Sequence, residues 1–412
     1  MADDILSTFS DEVLCLILSF LQTKQVVATS ILSKRWKHLW RSVPVLDFTN
    51  TILTDHKENF CVTDFIYYVL LSVTPIKGFK ISLMYDYTQD IDLGIPSFYK
   101  WINFLVQQGV EHLDLFLMLM PGVPDLPNTI LTCETLVSLS LRFFCLNFTF
   151  PSVKLPSLKT LSLELIFSQK DQNFMLLLAG CPILEELFIS KIWGFHSEDS
   201  LSTNKWKSFT LKTLTRASVD STYFHFPFEP LLHVHSLSIS TAEMVSYNHV
   251  LPTFNNLTSL DLNSFNYRWR FLIEVLKHCP KLQTLKLNEA ASNTDIWAKN
   301  EETWTRKDDK ENWVDPKFVP QCLSLHLKAC HLLSFLGLQG ELLLAKYILK
   351  NAAVLQTMKI WNGGHPGIEG LLRSCSRASS TCKLTVYRVS FDGANELNLA
   401  LDASGSSGGR ND

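Results

Sequence analysis

Near the start of the chain, Leu14, Ile17, Leu18 and Leu21 recur at helical intervals. After a short break at Gln22-Thr23, a second apolar stripe follows at Val27, Ile31 and Leu32. Ser10 stands where it can cap the first helix, and Asp11 and Glu12 fill the first turn, where negative charge is favoured. Ser33 is placed to cap a third helix. In it Trp36, Leu39 and Trp40 fall at i, i+3 and i+4, while Lys34, Lys37, His38 and Arg41 take the other side. The tryptophans read as core or interface, and the basic residues as a solvated face. Three short helices cannot hide this much Leu, Ile and Trp among themselves, so the segment should expose an apolar docking surface.

From residue 110 the pattern changes to L-x-x-L-x-L. Copies begin at Val110, Leu136, Leu158, Leu184, Val234, Leu257 and Leu282, with a degenerate one at Leu211, and successive starts lie 22 to 27 residues apart. One such repeat cannot bury its own leucines, but stacked repeats can, each supplying a short parallel strand and a return segment. Weaker copies flank the array at Ile76 and Leu355. The returns NFMLLLAGCP and RFLIEVLKHCP have helical spacing and stop at Cys-Pro, where Pro disfavours helix in the residue before it. The uneven spacing predicts a curved, irregular solenoid.

Alternation along each strand sends the residues beside the last two leucines to an open concave face. Most are Ser or Thr, with Thr213 and Thr215 assigned to the degenerate copy; Glu186, Phe188, Asp261 and Lys286 carry the distinctive chemistry. Residues 288 to 318 break the period with a run of mixed charge that contains Trp297, Trp304 and Trp313. Such tryptophans either pin an exposed excursion back onto the repeats or act as binding anchors. The candidate recognition residues are therefore Glu186, Phe188, Asp261, Lys286, Trp297 and Trp304.

Composition narrows the function. The chain has 412 residues, 46% of them hydrophobic, enough to bury a large core in two or three domains. Its 37 Lys and Arg against 40 Asp and Glu give no field that would attract a phosphate backbone, so nucleic acid is not an expected partner. No stretch approaches the length of a spanning helix, and MADDILSTFSDE has no apolar run of the signal-peptide kind, so no membrane partner is expected either. The ten cysteines form no CxxC pair and read as buried, reduced thiols of a cytoplasmic or nuclear protein. No nucleophile elbow, HExxH, Walker loop or Gly-rich dinucleotide turn is present. His233 with His235, and Cys322, His326 and Cys330 at helical spacing with His331 adjacent, lie in repeat-like apolar context and are not read as the four converging ligands zinc wants. No enzyme activity, cofactor or metal is expected.

Three resemblances build on these patterns. Asp11-Glu-Val-Leu14, Ile17-Leu-Ser-Phe-Leu21, Ser30-Ile-Leu-Ser-Lys-Arg-Trp36, Leu39-Trp40 and Ser42-Val-Pro-Val-Leu-Asp-Phe48 together resemble the F-box. That motif implies docking onto the SKP-family adaptor of an SCF ubiquitin ligase and, through it, a cullin. The contact residues expected on this footing are Phe9, Val13, Leu14, Ile17, Leu18, Leu32 and Trp36. Phe9-Ser10 stands where the family usually has Leu-Pro; Phe keeps the apolar contact and Ser the cap. The repeats resemble the cysteine-proline leucine-rich repeats of plant F-box proteins. Segments within residues 313 to 390, including Trp313 to Leu323, Glu341 to Leu355 and Ser376 to Leu384, look like the FBD domain, although Cys330 to Gly340 is more apolar than that family's usual segment.

The expected fold is α/β: a three-helix F-box, then an irregular leucine-rich-repeat solenoid of parallel strands with helical returns, capped by an FBD region. The expected divisions are 1–48 F-box, 49–109 connection with an early degenerate repeat, 110–290 repeats, 291–318 charged insertion, 313–390 FBD and 403–412 a disordered Ser/Gly tail. The resemblance implies the substrate-recognition subunit of an SCF-type ligase, with an unidentified protein as target. The alternative is a leucine-rich binding scaffold that recruits no ligase.

Overall fold

The computed structural model describes residues 5–53, 56–85, 94–118, 122–147, 153–168, 171–193, 209–220, 226, 228–240, 251–263, 269–288, 316–362 and 367–388. The chain divides into two units, Met1–Leu231 and Leu232–Asp412.

The first unit opens with α1 (Asp11–Leu18), α2 (Thr23–Ala28) and α3 (Trp36–Leu39). Ser10 caps α1 as its sequence position requires, its backbone extended and its Oγ accepting from the Val13 N–H at 3.5 Å. The third helix is a single turn whose cap position is Arg35 rather than Ser33. Then follow β1 (Val45–Leu53), α4 (His56–Ser72), β2 (Gly78–Tyr85), α5 (Gly94–Gln107), β3 (His112–Met118), β4 (Ser138–Arg142), β5 (Thr160–Phe167), α6 (Asp171–Ala179), β6 (Glu186–Trp193) and β7 (Arg216–Asp220). Each strand pairs in parallel with the next, from β1 through β7. The reason is visible in the register: Leu113, Leu139, Leu161, Leu187 and Ala217 are partners in one buried row, and Leu115, Leu141, Leu163, Ile189 and Val219 in the next. A return such as α5 closes the core behind them, burying Phe98, Trp101, Ile102 and Leu105 at helical spacing.

The second unit runs β8 (Ser236–Ser240), β9 (Ser259–Asn263), α7 (Trp269–Lys277), β10 (Thr284–Asn288), α8 (Gln321–Leu325), β11 (Ala329–Phe335), α9 (Gln339–Asn351), β12 (Thr357–Asn362), α10 (Ile368–Arg373) and β13 (Lys383–Arg388). These strands are also parallel and in chain order, and Leu237, Leu260, Leu285, Cys330, Met358 and Leu384 form their buried row. At the start of α9, buried Glu341 accepts the Leu336 N–H at 3.1 Å and the Leu338 N–H at 2.7 Å. Gly340 beside it is required by close approach, since a Cβ there would lie 2.6 Å from Nε1 of Trp269.

The two Cys-Pro returns are the helices α6 and α7, as their spacing predicts. The degenerate repeat, however, sits three residues later than the leucines suggest. Ala217 and Val219 take the inward positions of β7 opposite Leu187 and Ile189, so Arg216 and Ser218 occupy the half-open face. Thr213 and Thr215 instead precede the strand, their hydroxyls donating to the carbonyls of Leu184 at 2.8 Å and Glu185 at 3.1 Å. The apolar segment from Cys330 is strand β11, buried enough to need its leucines, and Gly337 at φ 77° turns it towards α9. His326 caps the C-terminus of α8, its N–H donating to the Cys322 carbonyl at 3.0 Å, whereas Cys330 lies in β11, and His233 and His235 lie ahead of β8. Trp297, Trp304 and Trp313, with the tail from residue 403, lie outside the described residues.

Candidate functional site

Three surfaces stand out, one on the helices of the first unit and one on the half-open sheet face of each unit. Beneath the first, Leu14, Leu18, Val26, Trp36, Leu39, Trp40 and Val43 form the core. Arg35 ties it together, its Nε donating to Oδ1 of Asp11 at 2.8 Å and its NH2 group to the Phe9 carbonyl at 2.6 Å. Thr23 Oγ1 accepts the Asp47 N–H at 2.7 Å, which joins α2 to β1. Lys34, Lys37, His38 and Arg41 are exposed, as a solvated face requires.

The expected adaptor contact residues divide by burial in the chain itself. Leu14 and Leu18 are 0% and 1% exposed and Trp36 8%, because they supply the apolar surface by which α1 and α3 hold the small bundle together. Phe9, Val13, Ile17 and Leu32 are exposed, and they are accompanied by Leu6, Leu16, Phe20, Leu21 and Ile31, of which Phe20 and Ile31 are more than four-fifths exposed. The sequence Asp11–Leu18 is apolar nearly all round after its first turn, so spacing alone does not say which face turns inward. So many large apolar side chains left in water within about thirty residues exceed the ordinary scatter of single exposed leucines and mark an interaction surface.

On the sheet face of the first unit, Glu186 lies in the same row as Arg216, with 3.8 Å between carboxylate and guanidinium. Phe188 is half-buried between Ser162 and Ser218. The strands continue one position beyond the two considered from sequence. There Arg142 reaches Asp114 at 3.7 Å and lies over the Phe116 ring at 5.2 Å, beside Glu164 on the next strand. Asp261 and Lys286 are register partners on the face of the second unit. Burial holds the Asp261 carboxyl above the usual carboxylate range, and Lys286 opposes that shift.

Three of the buried thiols are held in their protonated form. Burial pushes Cys181 and Cys330 up to about 12 and Cys322 up to about 11, and Sγ of Cys181 and Cys322 donates to the carbonyls of Leu177 and Leu276. Among the described residues no three His, Cys, Asp or Glu side chains gather as metal ligands, and no helix is long and apolar enough to cross a membrane.

The sequence profile of the F-box domain matches residues 6–48, that of the leucine-rich repeats of FBD-associated F-box protein At5g56370 matches 98–224, and that of the FBD matches 315–360. Among Arabidopsis thaliana proteins, F-box/FBD/LRR-repeat protein At4g26340 is 30% identical, with 86% of this chain and 92% of the relative covered. F-box/LRR-repeat protein 13 is 30% identical over 70% of this chain and 77% of its own length, and FBD-associated F-box protein At5g56370 is 27% identical over 86% and 89%. The helical bundle, the parallel leucine-lined strands and the segment around β11 and β12 thus each coincide with a matched profile, and the chain belongs to the plant F-box/FBD/leucine-rich-repeat family.

Proposed function

We propose that the chain is the substrate-recognition subunit of an SCF-type ubiquitin ligase. An F-box joined to leucine-rich repeats supports an adaptor-type role, in which one part of the chain docks and another binds a protein. The observation that carries the reading is the exposed apolar set around Phe9, Val13, Ile17 and Leu32, which overlies a bundle whose own core is already complete. In this reading it docks a SKP-family adaptor and through it a cullin, while the half-open strand faces hold the target; Glu186, Phe188, Asp261 and Lys286 remain proposed target contacts, together with Trp297 and Trp304.

The chain contributes no chemistry of its own here. Bringing target and ubiquitin-charged enzyme together converts an encounter between two molecules into one within a complex, so positioning is its catalytic contribution. Free thiols, most of them buried, accord with action in the cytoplasm or nucleus. Affinity purification from plant cells tests the reading: the full chain should recover adaptor and cullin, and a chain lacking residues 1–48 should recover neither. Recovery of target proteins with no adaptor from the full chain would make it a scaffold instead.

A further inference from the structure

The sheet face of the second unit carries a cluster that the repeat motif does not announce. Ser238, Asp261, Lys286, His331, Lys359 and Thr385 are successive register partners across β8 to β13. Lys286 and Lys359 thus flank His331, and neither lysine has a hydrogen bond or ion pair among the described residues. Oδ1 of Asp261 and Nδ1 of His331 are buried with no hydrogen-bond partner among those residues. Burial first, then Lys359 and Lys286, lower His331 to about 4, so its ring is neutral near pH 7. Further along the same strands Trp361 stacks on Tyr387, with ring centres 5.0 Å apart and planes at 23°, and the His331 ring lies 5.8 Å from Trp361.

The contrast with neighbouring positions is chemical. In the first unit Arg142 is engaged by Asp114 and Phe116, and Glu186 by Arg216. In the second, Asn263 bonds Ser238 at 3.1 Å and Ser334 bonds Asn288 at 3.3 Å, so those amides are used internally. Among the described residues the lysines have no counter-charge except for Asp261 beside Lys286, and Lys383 adds a further cation on β13. Half-buried ammonium groups beside a low-dielectric aromatic surface gain most from a carboxylate that also excludes water. Lys286 and Lys359 stand two strands apart, about 10 Å, a span that flexible lysines can close onto carboxylates about 7 Å apart on alternate residues of an extended chain.

We propose that this platform anchors the target protein through an extended acidic segment, its carboxylates held by Lys286 and Lys359 and a large apolar or aromatic side chain laid on Trp361 and Tyr387. The proposal rests on the reading of the chain as a target receptor, and it assigns that receptor's binding chemistry.

Fluorescence anisotropy with the purified full chain tests it. The probe is a fluorescein-labelled peptide in which Glu and Gly alternate around one central Phe; its counterpart carries Lys for Glu. The acidic peptide should bind at least about tenfold more tightly than the basic one and weaken as salt rises. Lys359→Glu and Trp361→Ala should each weaken it about tenfold, a hot-spot loss, while Lys212→Glu, exposed in the first unit, should leave it unchanged. Should Trp361→Ala not fold, Lys359→Glu, at a half-buried position, carries the test alone. No binding of the acidic peptide, equal binding of the basic one, or indifference to Lys359→Glu overturns the proposal. So does a dimer in light scattering that Lys359→Glu dissociates, since a second copy would then be the occupant. Adaptor pull-down is read separately: a chain that recruits adaptor but ignores the peptide refutes this site alone, and the reverse refutes ligase recruitment alone.

Discussion

His331 is half-buried, and its imidazole sits between two ammonium groups in the register of the sheet. An unfolded chain protonates it near the ordinary 6.5, whereas in the fold, burial and the lysines lower it to about 4. Between those values the unfolded state holds a proton that the folded state does not. Stability therefore rises with pH through that window, and what His331 contributes to folding is lost as pH falls from 6.5 towards 4. Urea unfolding of wild type and His331→Gln at about pH 7 and about pH 5 should show a smaller loss for the variant on acidification; identical losses would mean the ring titrates normally. The place of His331 on the sheet face was not legible, because Ala329-Cys-His-Leu-Leu-Ser-Phe335 has no clean alternation, with Leu332 and Leu333 both buried. Ser10 as cap and the exposed basic face of α3 were legible because each depends only on local spacing. The inward direction of Leu14 and Leu18 was not, since Val13, Leu16 and Ile17 on the same helix are equally apolar.

At the scale of elements, Leu260 and Leu285 are register partners with no exposed surface, while Ser259 faces the half-open side. Truncating Leu260 to Ala leaves a cavity between two strands that cannot collapse without breaking their ladder, at a cost of about 2–5 kcal/mol. Ser259→Ala next door should change stability by less than about 0.5 kcal/mol. Calorimetric melting of the two variants checks this, and equal shifts would contradict the strand register. Such strands are readable because L-x-x-L-x-L fixes both the period and the buried face. The slip at β7 arises where Ala217 and Val219 replace the expected leucines and Leu211 and Leu214, just upstream, imitate the motif. β1 was hidden inside the F-box resemblance, and β13 is a short strand whose last residues are exposed. A left-handed residue follows the register partners Arg142, Glu164 and Ser190 in three successive strands: Phe143, Leu165 and Lys191 at φ 65°, 52° and 55°. No glycine marked those positions, so local chemistry gave no sign of them.

For the whole molecule, the order of parts follows from periodicity, which survives even where individual copies decay. A helical opening, a leucine-lined parallel array and a closing FBD segment were all legible, and matched profiles coincide with each. Partner chemistry was less legible, because the chemistry of a sheet face comes from residues brought together by register rather than by sequence, as Lys286, His331 and Lys359 are. Docking of an adaptor on the exposed apolar face of the F-box is the step on which the proposed function depends, and purified SKP-family adaptor titrated onto the full chain measures it. Ile17→Asp places a carboxylate on that face without touching the bundle core, and desolvating it in a complex costs several kcal/mol, about a hundredfold or more in affinity. Adaptor binding by wild type, its loss in Ile17→Asp and an unchanged melting temperature are the predicted result; undiminished binding by the folded Ile17→Asp chain would contradict the account.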